Sequence, residues 1–182
     1  MYISGMERTI LKAFQLKNLF TFLIFIFTLM DGYSQNSTAL RANIVSIEVG
    51  GPGGYGALNY ERIITIDEQF SLGGKIGFST VQVIDFTQKF NPDLLIPLSI
   101  SVYYGKTHKV HLGFGQTISN TVYADQFNGK PSRRTSFHTH FNIGYRYQKQ
   151  ENRFIYGISY SPIIEFQKIF KHWGSIMIGY TF

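Results

Sequence analysis

A pair of histidines, with a third one upstream, is the first feature of this sequence that could do chemistry. His138 and His140 are two residues apart, and His111 precedes them in the chain. Histidines at i and i+2 lie on one face of a β-strand, and a zinc site needs three or four converging ligands. The sequence offers no carboxylate or further histidine at the same level. We therefore expect no metal and no cofactor, and expect these histidines to form hydrogen bonds instead.

Two other features could suggest enzyme activity. The run from Gly50 to Gly54 is rich in glycine, but it lacks the Lys-Ser/Thr pair and the following helix of a phosphate-binding loop. Ser159 and Ser161 have no histidine and acid in a nucleophile arrangement. The chain has no cysteine, which excludes thiolate chemistry. We expect no enzyme, with a lipid-modifying activity as an alternative.

The start of the chain has the pattern of a secretory signal peptide. Lys12 and Lys17 precede an uncharged apolar run over residues 19–30, and small residues flank Tyr33. This order of charge, apolar run and small-x-small exit is typical of cleaved signals. The run is shorter than the ~20 residues that a spanning helix needs. We expect residues 1–34 to be a signal peptide, with translation starting at Met1 or Met6.

The rest of the chain alternates between apolar and polar residues. Residues 35–42 form a short polar leader, and residues 43–182 show the period of two that predicts β-strands. In residues 135–148, Phe137, Phe141 and other large apolar residues occupy odd positions. The predicted strands span 43–51, 54–66, 70–80, 94–105, 108–118, 134–148, 153–162 and 173–182. We expect an all-β protein, an eight-stranded antiparallel up-and-down transmembrane β-barrel preceded by a cleavable signal peptide.

The links between the predicted strands alternate in length. Those at 67–69, 106–107 and 149–152 are short, whereas those at 81–93, 119–133 and 163–172 are long. Outer-membrane barrels combine short periplasmic turns with long external loops. The first outer link, residues 51–53, departs from this pattern and predicts a tight glycine turn.

The composition indicates that the apolar face points outward. Charged residues make up 15% of the chain, against about 25% in soluble domains. The other face is rich in Gly, Ser and Thr, which fit the narrow interior of eight strands. Aromatic residues at the short-turn ends predict a periplasmic-side girdle: Phe70, Tyr104, Tyr147, Phe154, Tyr180 and Phe182. The alternative is a soluble, periplasmic lipocalin-like barrel that binds a hydrophobic ligand.

Ionisable and polar residues on the inward face predict a hydrogen-bonded lumen. Its expected members are Glu48, Glu61, Lys75, Lys109, His111, His138, His140, Asn142, Arg146 and Arg153. If the turn at 67–69 sets the register, Glu61 lies opposite Lys75, which predicts a cross-strand ion pair. Eight strands leave little open space, so we expect a plugged lumen, with a narrow porin-like channel for small solutes as an alternative.

The end of the chain resembles that of small outer-membrane barrels. Ile178, Tyr180 and the terminal Phe182 alternate in the last strand, which is similar to the signal read by the barrel-assembly machinery. The segment Asn59–Arg62 also resembles one in porin-like proteins of unknown function. The chain is thus similar to the transmembrane domain of OmpA and to OmpX. This resemblance implies a bacterial outer-membrane location, with membrane lipids and the assembly machinery as partners.

These features lead to a structural or surface-interaction role as the expected function. Contacts would come from aromatic residues in the external loops, namely Phe86, Phe90, Tyr123, Phe127 and Phe166. Arg133, Arg134, Lys168 and Lys171 are expected in the same loops, facing solvent or lipid head groups. The net charge of +6 is not clustered, so no nucleic-acid partner is expected.

Overall fold

The computed structural model describes residues 43–125, 129–149, 151–164 and 170–182. The expected signal peptide and leader lie outside these ranges, as do Phe127, Phe166 and Lys168. The strands are β1 (Asn43–Gly50), β2 (Ala57–Thr65), β3 (Phe70–Ser79), β4 (Leu94–Tyr104), β5 (His108–Ala124), β6 (Pro131–Gln148), β7 (Phe154–Ile164) and β8 (Phe170–Thr181), with a 3-10 turn at Gly51–Gly53. None of the described helices is long and apolar enough to cross a membrane.

The eight strands form a closed antiparallel barrel. Each strand pairs with the next, and β8 pairs with β1, so that Val45 lies opposite Tyr180. Closure satisfies backbone hydrogen bonds on both sides of every strand. The expected all-β, up-and-down fold is therefore confirmed.

The period of two in the sequence sets which side chains face outward. Ile47, Leu112 and Ile176 are each more than 60% exposed, whereas their neighbours Ser46 and Met177 are buried. Successive residues of a strand point to opposite faces, and here the large apolar residues point away from the barrel. The lipocalin-like alternative, which needs the apolar face inside, is wrong.

Several strands are longer than the sequence pattern predicts. β5 continues to Ala124 and β6 starts at Pro131, so Tyr123, Arg133 and Arg134 lie in a strand hairpin rather than in a loop. Likewise, β7 extends to Ile164, and β8 begins at Phe170. Lys171 therefore also lies in a strand. At these ends polar and apolar residues no longer alternate clearly, while the backbone pairing continues.

Candidate functional site in the barrel lumen

The lumen is closed at the end that carries the short links after β2, β4 and β6, here called the short-turn end. Ile44, Ile63 and Ile155 lie near the ends of their strands there and pack in one buried cluster with Met177. All four are at most 6% exposed. These apolar side chains exclude water from the base of the lumen.

Glu61 and Arg146 lie above this cluster and form a buried ion pair. The Arg146 Nη2 atom donates to Glu61 Oε2 over 2.7 Å, and both residues are at most 3% exposed. Tyr103 donates its hydroxyl hydrogen to the other oxygen of Glu61, and its ring lies 4.4 Å from the Arg146 guanidinium carbon. The attraction between the two charges, together with the hydrogen bond from Tyr103, offsets the free-energy cost of burying Glu61 and Arg146.

Tyr103 is one of the lumen residues that the sequence analysis missed. Its neighbours at alternate positions in β4, Ser99 and Ser101, are inward and buried. The same parity places Tyr103 inside. A count of positions along β4 would have found it, although an aromatic side chain among serines gave no compositional signal.

Lys75 pairs with Glu48 rather than with Glu61. The predicted register is confirmed, because Glu61 and Lys75 are Cα partners. The predicted ion pair is wrong, since Lys75 Nζ lies 2.9 Å from Glu48 Oε2, which also accepts a hydrogen bond from Asn59 over 3.1 Å. The long lysine side chain reaches beyond its direct partner, whose carboxylate Arg146 and Tyr103 already occupy.

A polar cavity of about 20 Å³ lies between these two ion pairs. Its lining includes Lys75, His111, Asn142 and Arg146. Lys109 is buried nearby, on the strand neighbouring that of Arg146 and directly opposite it. The cavity exceeds the ~10–15 Å³ that a water molecule requires. Buried side chains thus occupy much of the lumen that the described residues form, and this cavity has room for about one water-sized guest.

His138 and His140 lie nearer the long-loop end and make hydrogen bonds. His138 Nε2 shares one of 2.7 Å with Ser119 Oγ, and His140 Nδ1 lies 3.4 Å from Thr117 Oγ1. No group of three histidine, aspartate or glutamate side chains able to hold a metal occurs in the described part of the chain. His138 Nδ1 has no hydrogen-bond partner among the described residues, so the Ser119–His138 pair lacks the acid that orients a catalytic histidine.

The short link Gly51–Gly53 lies at the long-loop end of the lumen. All three of its residues are buried. Thr117 Oγ1 donates to the Pro52 carbonyl oxygen over 3.1 Å, and Ser79 Oγ bonds to the Gly53 carbonyl oxygen. Both are inward strand residues, so the link folds into the mouth of the barrel. The tight glycine turn was expected, but its position in the lumen was not visible in the sequence.

Gly50, the last residue of β1, shows why the chain needs glycine where it enters this link. Its φ is +83°, and an added Cβ would lie 2.1 Å from the Gly174 carbonyl oxygen. L-residues with a side chain rarely adopt positive φ, and no atom tolerates such a contact. The close approach of Gly50 to β8 thus depends on the absence of a side chain.

Arg153 is not a lumen residue, in contrast to the sequence expectation. It precedes β7, is exposed, and donates from Nη1 to the Tyr180 hydroxyl over 2.6 Å. The predicted strand began one residue too early. Arg153 therefore belongs to the outer surface of the short-turn end.

Outward aromatic residues gather at that end of the barrel. The rings of Phe70 and Tyr104 lie 5.0 Å apart, and those of Phe154 and Tyr180 lie 5.7 Å apart. Tyr147 contacts His108 at 5.3 Å, and Phe182 is 56% exposed. The six residues of the expected girdle thus share one end and one face of the sheet.

The loop between β3 and β4 is organised around Asp85. Its Oδ1 accepts hydrogen bonds from the backbone and hydroxyl of Thr87, and its Oδ2 accepts one from Asn91. The bonds from the Thr87 side chain, and then from Asn91, hold the pKa of Asp85 down, from 3.8 to about 2. Arg133 of β6 donates to the Pro92 carbonyl oxygen over 2.9 Å, which attaches the loop to the β5–β6 hairpin.

Comparison with solved structures identifies barrels of the same fold. The N-terminal β-barrel domain of Pseudomonas aeruginosa OprF matches with a TM-score of 0.55 at 12% identity, covering 78% of this chain and 98% of that domain. The Yersinia pestis outer membrane protein Ail, solved in a phospholipid bilayer nanodisc, matches with a TM-score of 0.50 at 10% identity, covering 78% of this chain and 99% of Ail. The expected resemblance to small OmpA/OmpX-like barrels is confirmed for the fold.

No protein-family model matches the chain. No curated protein matches it either.

Proposed function

We propose that this chain is a bacterial outer-membrane β-barrel with a structural or surface-interaction role. The observation that carries the proposal is the combination of an apolar outer face with a lumen occupied by buried polar and charged side chains. Ile47, Ile176 and many other large apolar side chains are exposed around the whole barrel. Soluble monomers rarely expose a continuous apolar patch above a few hundred Å², whereas lipid covers such a face.

The aromatic residues at the short-turn end support the same location. Phe70, Tyr104, Phe154 and Tyr180 point outward at one level. Rings at this level of a membrane barrel lie among lipid head groups. The short-turn end would then face the periplasm, and the β5–β6 hairpin would extend from the cell.

Export and assembly form part of this proposal. Residues 1–34 would be removed as a signal peptide, residues 35–42 would form a leader, and residues 43–182 would form the barrel. Ile178, Tyr180 and Phe182 would be read by the barrel-assembly machinery, and membrane lipids would be the lasting partners. We propose no enzymatic activity, no metal or cofactor and no nucleic-acid partner.

The filled lumen favours this role over a solute channel. The cluster around Ile44, the Glu61–Arg146 pair and the link Gly51–Gly53 follow one another from the short-turn end to the long-loop end of the barrel. A hydrated solute would have to displace all three. Purified protein in planar bilayers should therefore show no discrete conductance steps, and stable steps would favour the channel.

Heat-modifiability tests the proposed location and fold together. The protein is expressed in a Gram-negative host, the outer membrane is isolated, and samples are run on a gel with and without boiling. A folded membrane barrel resists detergent until boiled, so two mobilities are expected in the outer-membrane fraction. A single mobility in the soluble periplasmic fraction would contradict the proposal.

A further inference from the structure

The ionised side chains in the middle of the lumen are not balanced in charge. Lys75, Lys109 and Arg146 face two carboxylates, Glu48 and Glu61, and each carboxylate has a cationic partner at 2.7–2.9 Å. Lys109 forms no salt bridge among those that the described residues make. It is 1% exposed. A buried cation without a counter-charge is costly, so this surplus calls for an anion.

Unpartnered hydrogen-bond donors are a second indication of a bound anion. Arg146 uses Nη2 for Glu61, whereas its Nε and Nη1 atoms are buried without a hydrogen-bond partner among the described residues. His111 Nδ1 is also buried and has no partner in the described part of the chain. Both residues line the cavity of about 20 Å³. Glu48 also lines the cavity, and Asn142 Oδ1, an acceptor in the same lining, is buried without a partner among the described residues. A guest that accepts hydrogen bonds from Arg146 and His111 would satisfy the donors.

The volume of the cavity and the charges around it determine the size and charge of the guest. The cavity holds about one or two water-sized bodies, which excludes organic anions and phosphate. Lys75 lies at its edge with its charge shared by Glu48, and Lys109 lies directly opposite Arg146 on the neighbouring strand. We infer that the lumen binds one small monovalent anion of halide size, held by Arg146 and His111 and balanced by the charge of Lys109.

The test uses the barrel refolded in detergent, so it does not depend on the outer-membrane location. Sodium chloride is exchanged for sodium gluconate at constant ionic strength, since gluconate is too large for the cavity. The unfolding midpoint is followed as loss of the unboiled gel mobility on heating. A ligand that binds only the folded state raises the midpoint, and we expect a saturable rise of about 3 °C or more in chloride.

Two variants localise the effect. Lys109→Met removes the unmatched charge and keeps most of the side-chain volume, so the chloride response should disappear. Lys106→Met removes a lysine whose side chain is 62% exposed in a turn, and its chloride response should equal that of the unaltered protein. An equal response in all three proteins, or none in the unaltered protein, would overturn the inference.

A direct measurement keeps the inference testable if Lys109→Met fails to fold. Crystals of the unaltered barrel grown in bromide should show an anomalous peak within hydrogen-bond distance of Arg146 Nη1 and His111. Absence of the peak at this cavity would mean that it holds water only, and the inference would be wrong.

Discussion

Arg146 on β6 donates to Glu61 on β2 across the full width of the barrel, over 2.7 Å. In a closed ring of eight strands, β2 and β6 are opposite each other. The pair therefore ties two walls that share no backbone hydrogen bonds, and it lies across the path that a solute would take. We expect the stability of the barrel to depend on this contact, and we expect the contact to oppose the passage of solutes.

Loss of one member of this pair should destabilise the barrel strongly. Arg146→Met leaves the Glu61 carboxylate buried at 1% exposure with Tyr103 as its remaining close donor. Breaking a buried ion pair typically costs about 3–5 kcal/mol. Urea unfolding of the refolded barrel should show a decrease of that size in the free energy of unfolding.

The double variant Glu61→Gln/Arg146→Met supplies the control. Because it removes both charges, its loss of stability should be smaller than the sum of the two single losses. Additive losses would mean that the two side chains do not interact in the folded protein.

Gly50 should not tolerate a side chain. Gly50→Ala places a Cβ 2.1 Å from the Gly174 carbonyl oxygen at φ +83°, and we expect it to cost about 1–3 kcal/mol in the same urea assay. Gly56→Ala is the matched control on the other side of this link, just before β2, since an added Cβ there meets nothing within 4 Å. Equal stability of the two variants would contradict the proposed packing of this link against β8.

A charge on the outer face should be costly only within the apolar band. Ile176 is 65% exposed and lies between Val49 and Ile158 in the sheet, whereas Ile66 is 67% exposed in a turn. In lipid, Arg at the bilayer centre costs about 2–4 kcal/mol. Ile176→Arg should therefore reduce folding into lipid vesicles, and Ile66→Arg should not. Similar folding yields for both would indicate that lipid does not cover Ile176.

The loop around Asp85 should lose its order in acid. Its folded pKa of about 2 lies below the ordinary 3.8, so the stabilisation is fully present above about pH 4. It is lost as pH falls through about 2, when the carboxylate is protonated and can no longer accept all of its bonds. Amide hydrogen exchange at Thr87 and Lys89 should speed up over this window beyond the intrinsic pH effect. Asp85→Asn should remove the transition, and a transition that persists in this variant would have another source.

Sequence reasoning predicted the features that follow from the period of two. The strand number, the outward apolar face and the Glu61–Lys75 register all derive from alternation and from the length of one turn. The Lys75–Glu48 pair could not be derived in this way. Long side chains can pair with residues on other strands across the lumen. The distances between such residues depend on how the barrel closes rather than on their spacing in the sequence.

Errors were concentrated where the apolar pattern fades. β5 extends past Ile118, and β6 begins before Arg134. These added residues carry polar side chains on both faces, so their pairing leaves no periodic signal in the sequence. Arg153 was assigned inward because it shares the parity of the inward residues Gly157 and Ser161, but it precedes the first residue of β7, where the alternation does not apply. The burial of Gly51–Gly53 arises from contacts with Ser79 and Thr117, which are distant in sequence.

The central claim is that the apolar face of the sheet contacts lipid while the other face fills the lumen. The chain contains no cysteine, so single cysteines can be placed at 174–181 in β8 and spin-labelled in vesicles. Collision rates with oxygen should alternate, high at Ile176, Ile178 and Tyr180 and low at Ser175, Met177 and Gly179. A reversed alternation, or none, would contradict the account.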